Sequence, residues 1–216
     1  MTKTWLITGV SSGFGRQLTQ QLLASGNTVI GTVRNTNKIA DLEKQYPDTF
    51  FSKLLDVTDT AAIHKTVDAV FSEHPTVDVL VNNAGYGLFG AAEELSDAQV
   101  DKIIGTDLTG SIQMIRAVLP HFRAQGHGRI IQISSYGGQV AFPGNSMYHA
   151  AKFGIEGFAE SVAQEVSAFN IGVTIVEPGG ARTEFRYGSA QVADELPAYE
   201  ATPPTHLRRC WTQLTG

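Results

Sequence analysis

The feature that most constrains this chain is an alternation. Short runs rich in Val, Ile, Leu and Thr are separated by stretches whose apolar residues recur at helical spacing. Residues 4–8, 28–33, 50–55, 77–81, 128–133 and 172–177 are the short runs. Between them, four stretches and one face read as helices: the Leu18, Leu22 and Leu23 stretch, residues 39–46, the face Ala61, Ile63, Val67, Val70 and Phe71, residues 97–125 and residues 147–169. The 97–125 stretch is expected to break near Gly105 or Gly110. Strands that are apolar throughout are covered on both faces, and strands alternating with helices make crossovers between parallel neighbours. The pattern predicts an α/β chain with a doubly wound parallel sheet in three layers. Residues 1–183 make up its body and 184–216 an irregular, short tail in which Pro203-Pro204 should break any helix.

Composition removes several classes. The 16 basic and 21 acidic residues of the 216 give a formal charge of −5, which offers no basic face for nucleic acid. One cysteine, Cys210, cannot form an internal disulfide, and the six histidines show no metal-ligand spacing, so no metal is expected. No apolar run reaches the roughly 20 residues a membrane helix needs, and residues 1–9 lack a signal-peptide plan. A cytoplasmic protein is expected.

The first strand runs into Thr8-Gly9-Val10-Ser11-Ser12-Gly13-Phe14-Gly15, and a helix follows. Glycines at such a junction let the backbone turn tightly and approach a pyrophosphate, and the free N–H groups of the next helix favour anionic charge. Further along, Ser135 closes the fifth strand, and Tyr148 and Lys152 sit four residues apart on one helix face. A free tyrosine has a pKa of about 10, too high for an efficient base, and a nearby ammonium favours phenolate.

With its TGxxxGxG turn, its Asn82-Asn83-Ala84-Gly85 segment and its YxxxK pair thirteen residues after Ser135, the chain resembles the single-domain short-chain dehydrogenases/reductases over residues 4–183. The resemblance implies a Rossmann-type sheet, here lacking the usual last strand, that binds a dinucleotide and carries out catalysis. It implies that Gly9, Ser11, Ser12, Gly13, Phe14 and Gly15 line the phosphate turn, and that Asp56 and Val57 hold the adenine. The residue-level alternative for Asp56 is a helix cap ahead of Asp59. Asn83, Ala84 and Gly85 would pass beside the cofactor, and Pro178, Gly179 and Thr183 would meet the nicotinamide. In catalysis Tyr148 would exchange the proton of the substrate oxygen and Ser135 would hold that oxygen. Lys152 would bind the nicotinamide ribose and lower the tyrosine pKa.

NADP is expected rather than NAD. The position acidic in NAD-dependent relatives is Val33, and Arg34 follows, able to fork onto a 2′-phosphate that a carboxylate would repel. One position departs from the family pattern. Where an N-x-x-G asparagine supports a proton-relay water, this chain has Asp107-Leu108-Thr109-Gly110. Its charge can pair with Lys152 or oppose phenolate formation at Tyr148. His149 reads as structural, and Ser134 should face the opposite side of its strand.

Tyr86, Leu88, Phe89, Val140, Phe142, Met147, Phe185 and Tyr187 are candidate pocket walls, pointing to a carbonyl compound or alcohol with an apolar body. A homodimer through the long helices is expected. The leading reading is an NADP-preferring oxidoreductase interconverting a carbonyl and a secondary alcohol. A weakly catalytic NADP-binding sensor or partner-binding protein is the alternative. An epimerase or dehydratase is disfavoured by the glycine spacing.

Overall fold

The computed structural model describes residues 2–180 and 190–205. The apolar runs become strands β1 (Thr4–Thr8), β2 (Thr28–Val33), β3 (Phe50–Leu54) and β4 (Val79–Asn82). A two-residue strand β5 (Leu88–Phe89) follows, then β6 (Gly128–Ile133), β7 (Ile171–Val176) and a second two-residue strand, β8 (Gln191–Val192). The helices are α1 (Gly13–Ala24), α2 (Ala40–Gln45), α3 (Thr60–Glu73), α4 (Asp97–Ile103), α5 (Ser111–Gln125) and α6 (Ser146–Val166).

Six strands form one parallel sheet in the order β3-β2-β1-β4-β6-β7. This order reverses direction between β1 and β4, and in doubly wound sheets the ligand crevice opens beyond the carboxyl ends of the strands at such a switch. Alternate residues of each strand feed two cores. Leu6, Ile30, Leu80 and Ile130 pack with Ile63, Val67, Met114, Phe122 and Val162, contributed by α3, α5 and α6. Ile7, Val29, Val33, Val79 and Val81 pack on the other face with Leu23, Ile39 and Leu42. The three layers read from the sequence are therefore present.

The stretch expected to be one helix interrupted by glycine divides into α4, a π-helical segment over Ile104–Gly110, and α5. The π turn buries Asp107 and Gly110. A β-carbon on Gly110 would lie 2.6 Å from the Val57 carbonyl oxygen, so this turn is wedged against the segment that follows β3. Two expectations for the tail change. The tail contains the short strand β8, which pairs in parallel with β5 as a separate two-stranded sheet. Residues 203–205 are helical, because Pro203 and Pro204 occupy the opening positions, where a missing N–H costs nothing. Among the described residues the main sheet has no strand beyond β7, and no helix is long and apolar enough to cross a membrane.

Candidate functional site

The glycine turn leaves β1 with two residues in the left-handed region, Gly9 at φ +74° and Gly13 at φ +57°, a conformation that a β-carbon makes costly. Asn83, at the end of β4, holds the turn down by donating from Nδ2 to the Thr8 and Gly9 carbonyls at 2.9 and 3.1 Å. Thr8 returns the contact: its Oγ1 accepts the Asn83 and Ala84 N–H groups, each at 3.0 Å. Gly15 lies behind this turn rather than on its surface. A β-carbon there would come within 2.4 Å of both Asn83 Nδ2 and the Gly9 carbonyl oxygen. Helix α1 then starts without a capping side chain and without an acidic residue in its first turn, leaving its N–H groups and positive dipole end for an anion.

A cleft of about 580 Å³ runs from this turn across the carboxyl ends of the strands. Gly9, Ser11, Ser12, Gly13 and Phe14 line one end, with Arg34, Asp56 and Val57 beside them. Asn83, Ala84 and Gly85 form the floor. Ser135, Tyr148 and Lys152 line the other end, with Pro178 and Gly179 next to them. Thr183, Phe185 and Tyr187 lie outside the described residues.

At the first end Arg34 is exposed. Asp56 accepts from the Thr58 N–H at 3.0 Å and its hydroxyl at 2.8 Å, which holds its carboxyl below the usual range, while Asp59 caps α3 through the Ala62 N–H at 2.9 Å. Asp56 thus serves as a turn cap and as cleft wall together. Sequence reasoning missed Lys38 and Lys102, two exposed cations that also line the cleft. Position 38, four residues after Arg34, carried the signal of a second basic residue; position 102 sits in the last turn of α4 with nothing to single it out.

At the second end the charged groups are buried. Tyr148, one turn before Lys152 on α6, has its ring centroid 5.5 Å from Lys152 Nζ. That ammonium donates to the Ile133 carbonyl at 3.4 Å and lies 3.3 Å from Asp107 Oδ2; Asp107 is 1% exposed. Asp107 stands behind Lys152 instead of lining the cleft, and its Oδ1 accepts the Tyr86 N–H at 3.1 Å. Burial pushes its carboxyl above the ordinary range, opposed by the Lys152 charge and the Tyr86 hydrogen bond.

Tyr148 differs from the expectation in one respect. Lys152 and a hydrogen bond with Ser135 do pull its phenol down, but burial outweighs them, and Asp107 and Tyr136 push the same way as burial. The net displacement is upward. Tyr86, packed beside it, is pushed up to about 12, chiefly by burial and next by Asp107.

The remaining expected residues divide. His149 has both ring nitrogens engaged with backbone: Nδ1 donates to the Gly137 carbonyl at 2.7 Å and Nε2 accepts the Phe142 N–H at 2.9 Å. Ser134 donates from Oγ to the Glu156 carboxylate on α6. Among the candidate walls, Tyr86 and Phe89 line the cleft. Leu88 is instead core, buried against Tyr86, Ile103 and Tyr148. Met147 packs on that cluster, while Val140 and Phe142 are exposed outside the lining. Gln191 of β8 reaches the cleft, although the sequence around it gave no hint of a wall.

The family model described as short chain dehydrogenase matches residues 3–192. An oxidoreductase of Botryotinia fuckeliana, BOA17, is 37% identical over 203 residues, covering 94% of this chain and 74% of that protein. A 3-ketodihydrosphingosine reductase of Bacteroides thetaiotaomicron is 39% identical over 184 residues, covering 83% and 64%. Among solved structures, a short-chain dehydrogenase from Streptomyces avermitilis is 41% identical with a TM-score of 0.92, covering all of this chain and 78% of that one. A structure of ElxO with NADP bound is 29% identical with a TM-score of 0.81, covering 85% and 76%. A family model that matches most of the chain, and relatives of this identity and coverage, place the chain in the short-chain dehydrogenase family.

Proposed function

We propose that the protein is an NADP-preferring oxidoreductase that interconverts a carbonyl and a secondary alcohol with an apolar body. The observation that carries this is the meeting of Ser135, Tyr148 and Lys152 at one end of a cleft whose other end is an uncapped helix start over a glycine turn. The residues fit the dinucleotide. The turn offers backbone where a diphosphate needs it, and exposed Arg34 and Lys38 stand where Val33 leaves no carboxylate to repel a 2′-phosphate. The NADP-bound relative supports this choice. When bound, NADP supplies the hydride donor or acceptor.

In reduction, the Tyr148 phenol gives its proton to the substrate oxygen as negative charge develops there, and the Ser135 hydroxyl donates to the same oxygen and holds it in place. Lys152 stabilises the phenolate left behind and would hold the ribose of the bound dinucleotide; its ammonium is fixed from two sides, by donation to the Ile133 carbonyl and by the Asp107 carboxylate at 3.3 Å. In oxidation Tyr148 takes the proton back, and the burial that raises its pKa works against that direction near neutral pH. Exposed Phe153 on α6 supports a homodimer through the long helices, which size measurement in solution tests.

The test of the main reading is NADPH-dependent reduction of a ketone panel, compared with Tyr148→Phe. The variant should lose about 10²–10⁴-fold in kcat while still binding NADPH. The buried Asp107, which opposes phenolate formation, favours the second reading, a nucleotide-binding sensor. Tight NADPH binding with no turnover on any substrate would establish the sensor instead.

A further inference from the structure

Glu156 is a buried carboxylate that this mechanism leaves unused. It lies on α6, one turn beyond Lys152, and is 4% exposed. Among the described residues no cation stands within ion-pair distance of it. A carboxylate removed from water without a cation is costly, and a leucine would pack at such a position at no electrostatic cost. What holds it is a pair of neutral donors on the loop after β6: Ser134 through Oγ and Gln139 through Nε2. The loop is shaped around the carboxylate. A β-carbon on Gly138 would run into the Glu156 carboxylate and come within 2.9 Å of Ser134 Oγ, so a side chain there would have to displace the carboxylate from its place.

Ser135 lies inside this embrace. Its neighbour Ser134 is bound to Glu156, and the turn that follows is closed by the Gly137 N–H donating to Ser135 Oγ at 3.1 Å. The same loop is tied to β7 and to the segment beyond it: the Ser134 N–H donates to the Val176 carbonyl at 2.8 Å, and the Tyr136 N–H to the Pro178 carbonyl at 3.1 Å. Gln139 also donates to Glu177 at 3.2 Å. Glu156 therefore connects the helix bearing Tyr148 and Lys152 to the loop bearing Ser135.

We propose that Glu156 is a positioning residue: its carboxylate, gripped by Ser134 and Gln139, sets the Ser135 hydroxyl at hydrogen-bond distance from Tyr148 and so aligns the oxygen-holding group with the proton-transfer group. This rests on the roles of Ser135 and Tyr148 given above. The groups facing Tyr148 are Lys152 on its own helix, Asp107 from the π turn, and Tyr136 and Ser135 from the loop; of the latter two, Ser135 lowers its pKa. Releasing the loop should remove that influence.

The test is Glu156→Leu beside Glu156→Gln, read as kcat, NADPH affinity and the pH profile of alcohol oxidation. A misplacement of about 1 Å costs on the order of 100-fold in rate, so the leucine variant should lose about that in kcat with NADPH affinity unchanged. The rising limb of its oxidation profile should move to higher pH, as in Ser135→Ala. The glutamine variant keeps an acceptor for Ser134 and should recover most of the rate. If the leucine variant does not fold, Ser134→Ala and Gln139→Ala, singly and together, must show the same graded loss and the same displaced limb. Variants that fold and keep both the wild-type kcat and the wild-type limb overturn the proposal. Tyr148→Phe in the same assays separates the two claims. If it is inactive while the Glu156 and loop variants behave as wild type, only the clamp fails; full activity in it sinks the clamp and the reading beneath it.

Discussion

At the glycine-turn end of the cleft the charged groups stand in solvent: Arg34, Lys38 and Asp56 are all exposed. At the tyrosine end they are buried, with Lys152 5% and Asp107 1% exposed and 3.3 Å between their charged atoms. The same kinds of side chain consequently do different work. Exposed charges are screened by water and salt, can be exchanged cheaply, and select which anion settles beside them. Buried charges are held at a large desolvation cost, so changing either partner disturbs stability and the titration of everything they touch. Alterations at the first end should appear as cofactor preference, and alterations at the second as stability, rate and pH dependence.

The largest expected effect tests the buried end. Lys152→Met leaves the Asp107 carboxylate without its cation and should destabilise the protein by about 3–5 kcal/mol, with turnover lost as well. Adding Asp107→Asn should return most of the stability but none of the turnover. A lysine variant as stable as wild type in denaturant titrations breaks the comparison.

Asp107→Asn alone is the next step down and turns on pH. The folded-state pKa of Asp107 lies above its unfolded value, so between the two the native protein holds a proton that the unfolded chain has released. Stability therefore falls as pH rises from the ordinary carboxylate value, near 3.9, up through the raised folded value. The asparagine variant lacks this loss, so its melting temperature relative to wild type should be more favourable at pH 8 than at pH 4. Activity should be kept or raised. The rising limb of the oxidation profile should move to lower pH, because Asp107 is one of the influences raising the Tyr148 pKa. A large loss of activity would show that the carboxylate has a role of its own.

The smallest effect belongs to the exposed end. Arg34→Ala should lower kcat/KM with NADPH about 10- to 100-fold, the worth of charge-assisted hydrogen bonds to one phosphate, and leave NADH nearly unchanged. The deficit should shrink as salt is raised. An arginine variant that loses NADPH and NADH alike would mean that Arg34 acts on something common to both.

The two ends were not equally legible in the sequence. The strands could be read because buried parallel strands need unbroken apolar runs, and the glycine turn, Ser135, Tyr148 and Lys152 because their spacing is itself the signal. Burial could not be read. Whether the ammonium beside Tyr148 wins over desolvation depends on how much protein surrounds the phenol, and it does not win. Glu156 was missed because a glutamate near the middle of a helix looks like an ordinary solvated charge; its partners, Ser134 and Gln139, are 22 and 17 residues away in sequence. Strands β5 and β8 escaped because two residues show no periodicity, and their pairing joins positions 88 and 191.

The π turn at Ile104–Gly110 carries a consequence for how the winding of the backbone sets the site. A π segment fits more residues into each turn than an α-helix, so letting the stretch relax to α-helix without removing a residue would rotate what precedes it by roughly 100°, the turn of one α-helical residue, relative to α5. Asp107 would swing off Lys152 and the Tyr86 amide, though no side chain of the site had been altered. In this stretch the winding of the residues is as much an active-site property as their identity.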